Sequence, residues 1–200
     1  MKKIGLHLLA GCAIITCQHQ AIAAPISCVT ASHDISSKVE GAVNCQRLPV
    51  VQGQNSANDS AALVNAEAFF GISTWTLEGK YDNLGNASGA DNSALFNFSG
   101  NSKVGTFSYV GPSNPALDVM LVFKSGMQTN LVAYLLGAPF GVDMDYSSPF
   151  ISGMFNFKNT KDISHISVYT SPRAADVPEP ASLALLGIGV AGLLMGRRRR

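Results

Sequence analysis

The chain reads as mainly β: a single β-sandwich of jelly-roll type carrying one short helix, followed by a C-terminal transmembrane helix. Three observations lead there. Between residues 73 and 170, short apolar or alternating runs are separated by clusters of Gly, Asn, Ser and Asp. Charged residues make up only 14% of the chain, so its strands face a polar but weakly charged exterior. Residues 181–195 break that pattern, holding only Ala, Ser, Leu, Gly, Ile, Val and Met.

Taken in order, residues 28–51 are mixed, with Ile26, Val29, Val43, Val50 and Val51 as strand residues. Residues 53–60 are a turn-forming loop, and Asp59 or Ser60 caps a helix expected over 61–70, with Gly71 after its end. Strands follow at 73–81, around Trp75 and Leu77, then at 95–98 and 104–110. Residues 117–124 form the most hydrophobic run of the domain. With 130–136 they predict a central hairpin buried on at least one face. A final pair is expected from 150–157 and 163–170.

The N-terminus has the layout of a secretory signal peptide over 1–23. Lys2 and Lys3 precede an apolar run at 4–15, and Ala21-Ile22-Ala23 supplies the small-residue cut. This implies a secretion translocon and a signal peptidase as partners. A competing reading exists, because Leu9-Ala10-Gly11-Cys12 resembles a lipobox in which Cys12 is lipidated. With the ends set aside, residues 24–177 hold eight basic and twelve acidic side chains, a net charge of −4. No basic patch remains to recruit nucleic acid. Cys28 and Cys45 are the cysteines left in that domain, and in an oxidising compartment they are candidates for one disulfide.

At the C-terminus Pro178, Glu179 and Pro180 precede the uncharged run, and Arg197, Arg198, Arg199 and Arg200 follow it. As a helix the 181–195 run spans about 22 Å, so it reaches across a ~30 Å hydrocarbon core only with local thinning and snorkelling arginines. The arginines set its direction, cytoplasmic at the end and exported before Pro178. Triplet, apolar run and arginine cluster, in that order, resemble the PEP-CTERM sorting signal of Gram-negative bacteria. The resemblance implies a membrane-embedded exosortase, a cysteine protease-transpeptidase cutting near the triplet. It also implies a setting of exopolysaccharide or biofilm formation. The organisation expected is a signal peptide at 1–23, an exported domain at 24–176 and a sorting signal at 178–200. Before processing the domain stands in the periplasm on its inner-membrane anchor; afterwards it belongs to the cell surface or matrix. The domain itself looks like the β-rich domains that often precede this signal, a group without an assigned activity.

Chemistry-bearing residues are sparse, and no catalytic set is expected. Ser164 and His165 are neighbours in a strand and point to opposite faces, so they do not form a nucleophile–base pair. Asp143 and Asp145 are the best acid pair, half of a calcium site if both point one way, against the plainer reading of a solvated loop. No other cofactor is indicated. Trp75 and Tyr134, with other tyrosines, are candidates for a sugar-stacking face that would attach the domain to extracellular polysaccharide. The leading expectation is a non-enzymatic surface or matrix protein, and a carbohydrate-binding module is the alternative.

Overall fold

A computed structural model of the chain describes residues 24–49, 59–82, 95–112, 116–126, 130–155 and 157–173. The signal peptide expected at 1–23 and the tail at 178–200 lie outside those residues.

The described part is mainly β, with two antiparallel sheets and one α-helix. The strands are β1 (Ile26–Ser27), β2 (Ala42–Arg47), β3 (Thr76–Tyr81), β4 (Phe96–Gly100), β5 (Val104–Tyr109), β6 (Leu117–Ser125), β7 (Leu131–Leu136), β8 (Met144–Ser147) and β9 (Ile163–Pro172). The larger sheet has six strands in the order β1-β2-β7-β6-β9-β3, and the smaller has three in the order β4-β5-β8.

The expected central hairpin is there. β6 pairs with β7 from Val119↔Leu136 to Lys124↔Leu131, and on its other edge with β9. A strand's side chains alternate between faces, so a strand covered on one face alternates apolar and polar. β6 does not alternate, because both its faces are covered. Val119, Leu121 and Phe123 enter a core shared with the smaller sheet, while Met120 and Val122 enter a second core beside the helix. All five are fully buried. From the smaller sheet Phe96, Phe107, Met144 and Tyr146 fill the first core, where Phe123 meets Tyr146 edge-on at 6.0 Å between ring centres. Each such side chain contributes about 1.5–3 kcal/mol of burial.

The helix α1 (Ala61–Glu67) begins as expected at Ser60, whose Oγ accepts from the Leu63 N–H at 3.4 Å. It ends earlier than 70, because Ala68 turns left-handed (φ 50°) and donates back to the Asn65 carbonyl. Phe69–Gly71 then form a short 3-10 turn. Side chains hold this corner in place of a glycine cap. Asn65 exchanges two hydrogen bonds with the Trp75 backbone, and Gln46 Oε1 accepts from Phe70 N–H at 2.7 Å.

Two expectations are corrected. Of the strand expected at 150–157, residues 150–155 form none: Gly153 (φ 86°) makes a turn inside a Ser152–Phe155 bridge, and Phe150 and Phe155 plug the first core from irregular backbone. β9 pairs with β6 and β3 instead. Conversely β8 forms where a loop was the plainer reading. Met144 and Tyr146 point inward and Asp145 outward, an alternation hidden by the two aspartates.

Cys28 and Cys45 are bonded, their Cα atoms 5.5 Å apart and 17 residues apart in sequence. The bond ties the two-residue β1 to β2 at the sheet's edge. A Cys28→Ser/Cys45→Ser double variant is expected to lose about 3 kcal/mol of stability in non-reducing urea titrations. An unchanged unfolding midpoint would show the bond to be dispensable.

Candidate functional site

Strand parity builds the main polar site of the domain. His165, Ser167 and Tyr169 alternate along β9, so all three face the helix side, where β6 sets Lys124, Val122 and Met120 opposite them. Buried polar groups need partners, since an unpaired one costs about 1–3 kcal/mol. Asp59, the residue before the helix cap, supplies them. Its Oδ2 lies 2.8 Å from His165 Nε2 and also accepts from Ser167 Oγ, while its backbone carbonyl accepts from Tyr169 Oη. Lys80 Nζ, from β3, stands 3.6 Å from the same carboxylate oxygen.

Burial alone pushes the Asp59 carboxyl upward. The His165 and Ser167 hydrogen bonds, with the attraction of His165 and Lys80, outweigh it and hold the group far below the usual carboxylate range. An ionised carboxylate only accepts, so His165 Nε2 carries the proton on that side. Its Nδ1 faces Asp82 Oδ1 at 3.6 Å. The three residue types of a hydrolytic triad are therefore present without its wiring. Ser167 and His165 both donate to one carboxylate oxygen, leaving Ser167 with no base, and Ser167 is fully buried. Ser164, by contrast, is exposed on the opposite face, as adjacency requires.

The expected acid pair separates. Asp143 has φ 52°, which takes it out of strand alternation, and its Oδ1 accepts from Ser108 Oγ at 3.0 Å. Asp145 lies on the outer face of β8 and helps line a groove of about 610 Å³ with Lys38, Glu40 and Thr106. Glu40 Oε2 accepts from the Asp145 backbone N–H at 3.0 Å. Among the described residues no group of three or more His, Cys, Asp and Glu is gathered to hold a metal ion.

The two aromatic residues expected on a sugar-stacking face are core residues instead. Trp75 is 2% exposed in the helix-side core and donates Nε1–H to the Phe69 carbonyl at 3.3 Å. Tyr134 is fully buried between the sheets and donates its hydroxyl to Ile35 O at 2.7 Å, and burial drives its pKa well above the phenol value. Neither ring is available for stacking on a ligand.

β9 is the last of the described strands. Its C-terminal end is clamped: Arg173 Nε and a terminal guanidinium nitrogen reach Asp118 Oδ1 and Leu117 O, each at 3.0 Å, and Arg173 N–H donates to Ala116 O. Three residues later a protein-family profile, that of the PEP-CTERM protein-sorting motif, begins its match and runs over residues 176–200. The chain carries that sorting motif. It supports exosortase-type sorting of an exported protein, marks a protein anchored in the membrane before processing, and implies an exosortase as partner. No curated protein and no solved structure is matched by the chain.

The Asp59 cluster was missed from the sequence, although the spacing of His165, Ser167 and Tyr169 in one strand is a readable signal of a polar stripe. What it lacked was the partner, 106 residues away from His165. Because folding lowers the Asp59 pKa, its contribution is complete above the unfolded value of ~3.9 and is lost as pH falls toward the folded value. Asp59→Asn is expected to cost about 3 kcal/mol at pH 7 and to flatten the acid limb of the stability–pH curve below about pH 4. Parallel curves for the two proteins, measured by urea titration, would contradict the assignment.

Proposed function

We propose that this is a non-catalytic exported protein of the cell surface or extracellular matrix. A signal peptide at 1–23 directs export, residues 181–195 hold the chain in the membrane, and an exosortase-type enzyme cuts near Pro178-Glu179-Pro180. The two sheets form the sandwich that is delivered. One observation carries the reading: the sorting motif occupies residues 176–200, which follow in sequence the last described strand and its Arg173 clamp. The polar cluster in that body supports a structural use for its chemistry, since His165 Nε2, Ser167 Oγ and Tyr169 Oη all bond to Asp59.

The intact mass of the protein from its own host tests this. The expected product starts at Ala24, ends near Pro178 and keeps the Cys28–Cys45 bond. A Pro178→Ala/Glu179→Ala variant should keep Arg200 and stay with the membranes. A wild-type product that keeps Arg200 would contradict processing, and one lipidated at Cys12 would contradict the proposed N-terminus.

A further inference from the structure

The loop between β8 and β9 plugs the first core with Phe150 and Phe155, and the same loop carries a strip of rings and cations. Arg47 reaches it from β2. In strand alternation Arg47 shares a face with Cys45, opposite Val132 and Tyr134, so its side chain lies on the first-core side. Its guanidinium carbon stands 5.7 Å from the centre of the Phe155 ring. Phe155 lies 5.9 Å from Phe157, and Lys161 Nζ is 5.8 Å from the centre of Phe157. The Lys161 backbone is pinned twice, its N–H donating to Phe150 O and its carbonyl accepting from Ser148 Oγ. Phe155 is buried, Phe157 is half-buried, and Lys158 and Lys161 are exposed.

Arg47 is the unusual member of the strip. Residues 24–177 hold two arginines, and the other, Arg173, is bonded to Asp118 and to Leu117 O. Arg47 has no ion pair and no hydrogen-bond acceptor among the described residues, and its Nε is buried and unpaired. The acid beside Lys161, Asp162, faces Lys103 at 3.8 Å instead. Burial lowers the Arg47 pKa, and no opposite charge counters it. A partly desolvated charge is normally paired, so an unpaired one calls for an explanation. A guanidinium placed over a ring still has N–H donors in its own plane, a fork that matches a carboxylate. That fork is unused by the protein.

We propose that this strip is a binding site for an acidic glycan. A sugar-acid carboxylate pairs with Arg47, another along the same chain pairs with Lys161, and the apolar face of a sugar ring packs on Phe157. Two arguments select this ligand. Although residues 24–177 carry a net charge of −4, Arg47, Lys158 and Lys161 make no ion pair among the described residues, so a polyanion is attracted here and repelled elsewhere. A sugar acid also carries its carboxylate directly on a rigid ring, so ring and charge arrive together, as Phe157 and its flanking cations receive them. An acidic peptide holds its carboxylates on flexible stems, which must be ordered at an entropic cost. The site belongs to the folded body and does not depend on whether the tail has been cut.

The test is a calorimetric titration of the protein as purified from its host with sodium polygalacturonate. Dextran serves as the neutral chain, poly-L-glutamate as the acidic peptide and inorganic phosphate as the lone oxyanion. Polygalacturonate is expected to bind and dextran to give no signal. Arg47→Gln and Lys161→Gln should each weaken binding about tenfold or more, as loss of a charge-assisted hydrogen bond implies. Arg47→Lys should weaken it as well, because it keeps the charge without the fork. Lys124→Gln removes the same charge from the helix side of the larger sheet and should change nothing. Urea midpoints verify folding; where Arg47→Gln does not fold, Arg47→Lys and Lys161→Gln carry the comparison. Equal losses in all variants, no loss at Arg47, or no binding at all would overturn the proposal. Poly-L-glutamate binding as tightly as polygalacturonate would assign the strip to acidic peptides instead, and displacement by phosphate at matched charge would reduce it to a lone-oxyanion site. None of these outcomes alters the export reading, which rests on the sorting motif.

Discussion

The structure depends on one strand that has no solvent face. β6 lies between β7 and β9 in its own sheet, with the smaller sheet over one face and α1 over the other. A strand in that position must be apolar at every residue, and the run from Val119 to Phe123 is. Everything else is arranged to cover it. The smaller sheet supplies Phe96, Phe107 and Tyr146, and the helical corner supplies Val64, Phe69 and Trp75.

Covering the second face creates a costly feature. β9 brings His165 and Ser167 to the same side as Met120 and Val122, where water is excluded. Asp59 resolves this by accepting from both side chains while its carbonyl accepts from Tyr169. The same residue precedes the helix cap Ser60, so the latch also sets where α1 begins. Helix and sheet are therefore joined by polar contacts as well as by apolar packing, which gives the helix layer one position along β9.

The parts legible in the sequence were those governed by local pattern. The apolar run at 119–123 marks a strand buried on at least one face, and the Ser60 cap marks the start of α1. Features set by distant residues were not legible. Phe150 and Phe155 look like strand residues, yet Gly153 turns the chain and the rings plug a core built elsewhere. Met144 and Tyr146 alternate, but the aspartates beside them read as loop until the smaller sheet supplies β5 as a partner. Trp75 and Tyr134 have the composition of a binding face; only the packing of both sheets and the helix shows that they are interior. The candidate site behaves the same way, since nothing near Asp59 in sequence announces His165. The sorting motif is the opposite case, because its information lies in the order of a triplet, an apolar run and an arginine cluster. That difference separates address from cargo: residues 176–200 are read as a string, and the body before Arg173 only as a fold.

Hydrogen exchange on the oxidised protein, followed residue by residue, tests most directly whether the double-faced strand holds the rest together. The account predicts that the amides of Val119 to Phe123 exchange only with global unfolding, and that those of β7 and β9 opposite them match that rate. The edge strands β1, β3 and β4 should open earlier and separately. If β6 exchanged faster than β3 or β4, the two cores would be independent units and β6 would not be the element on which they depend.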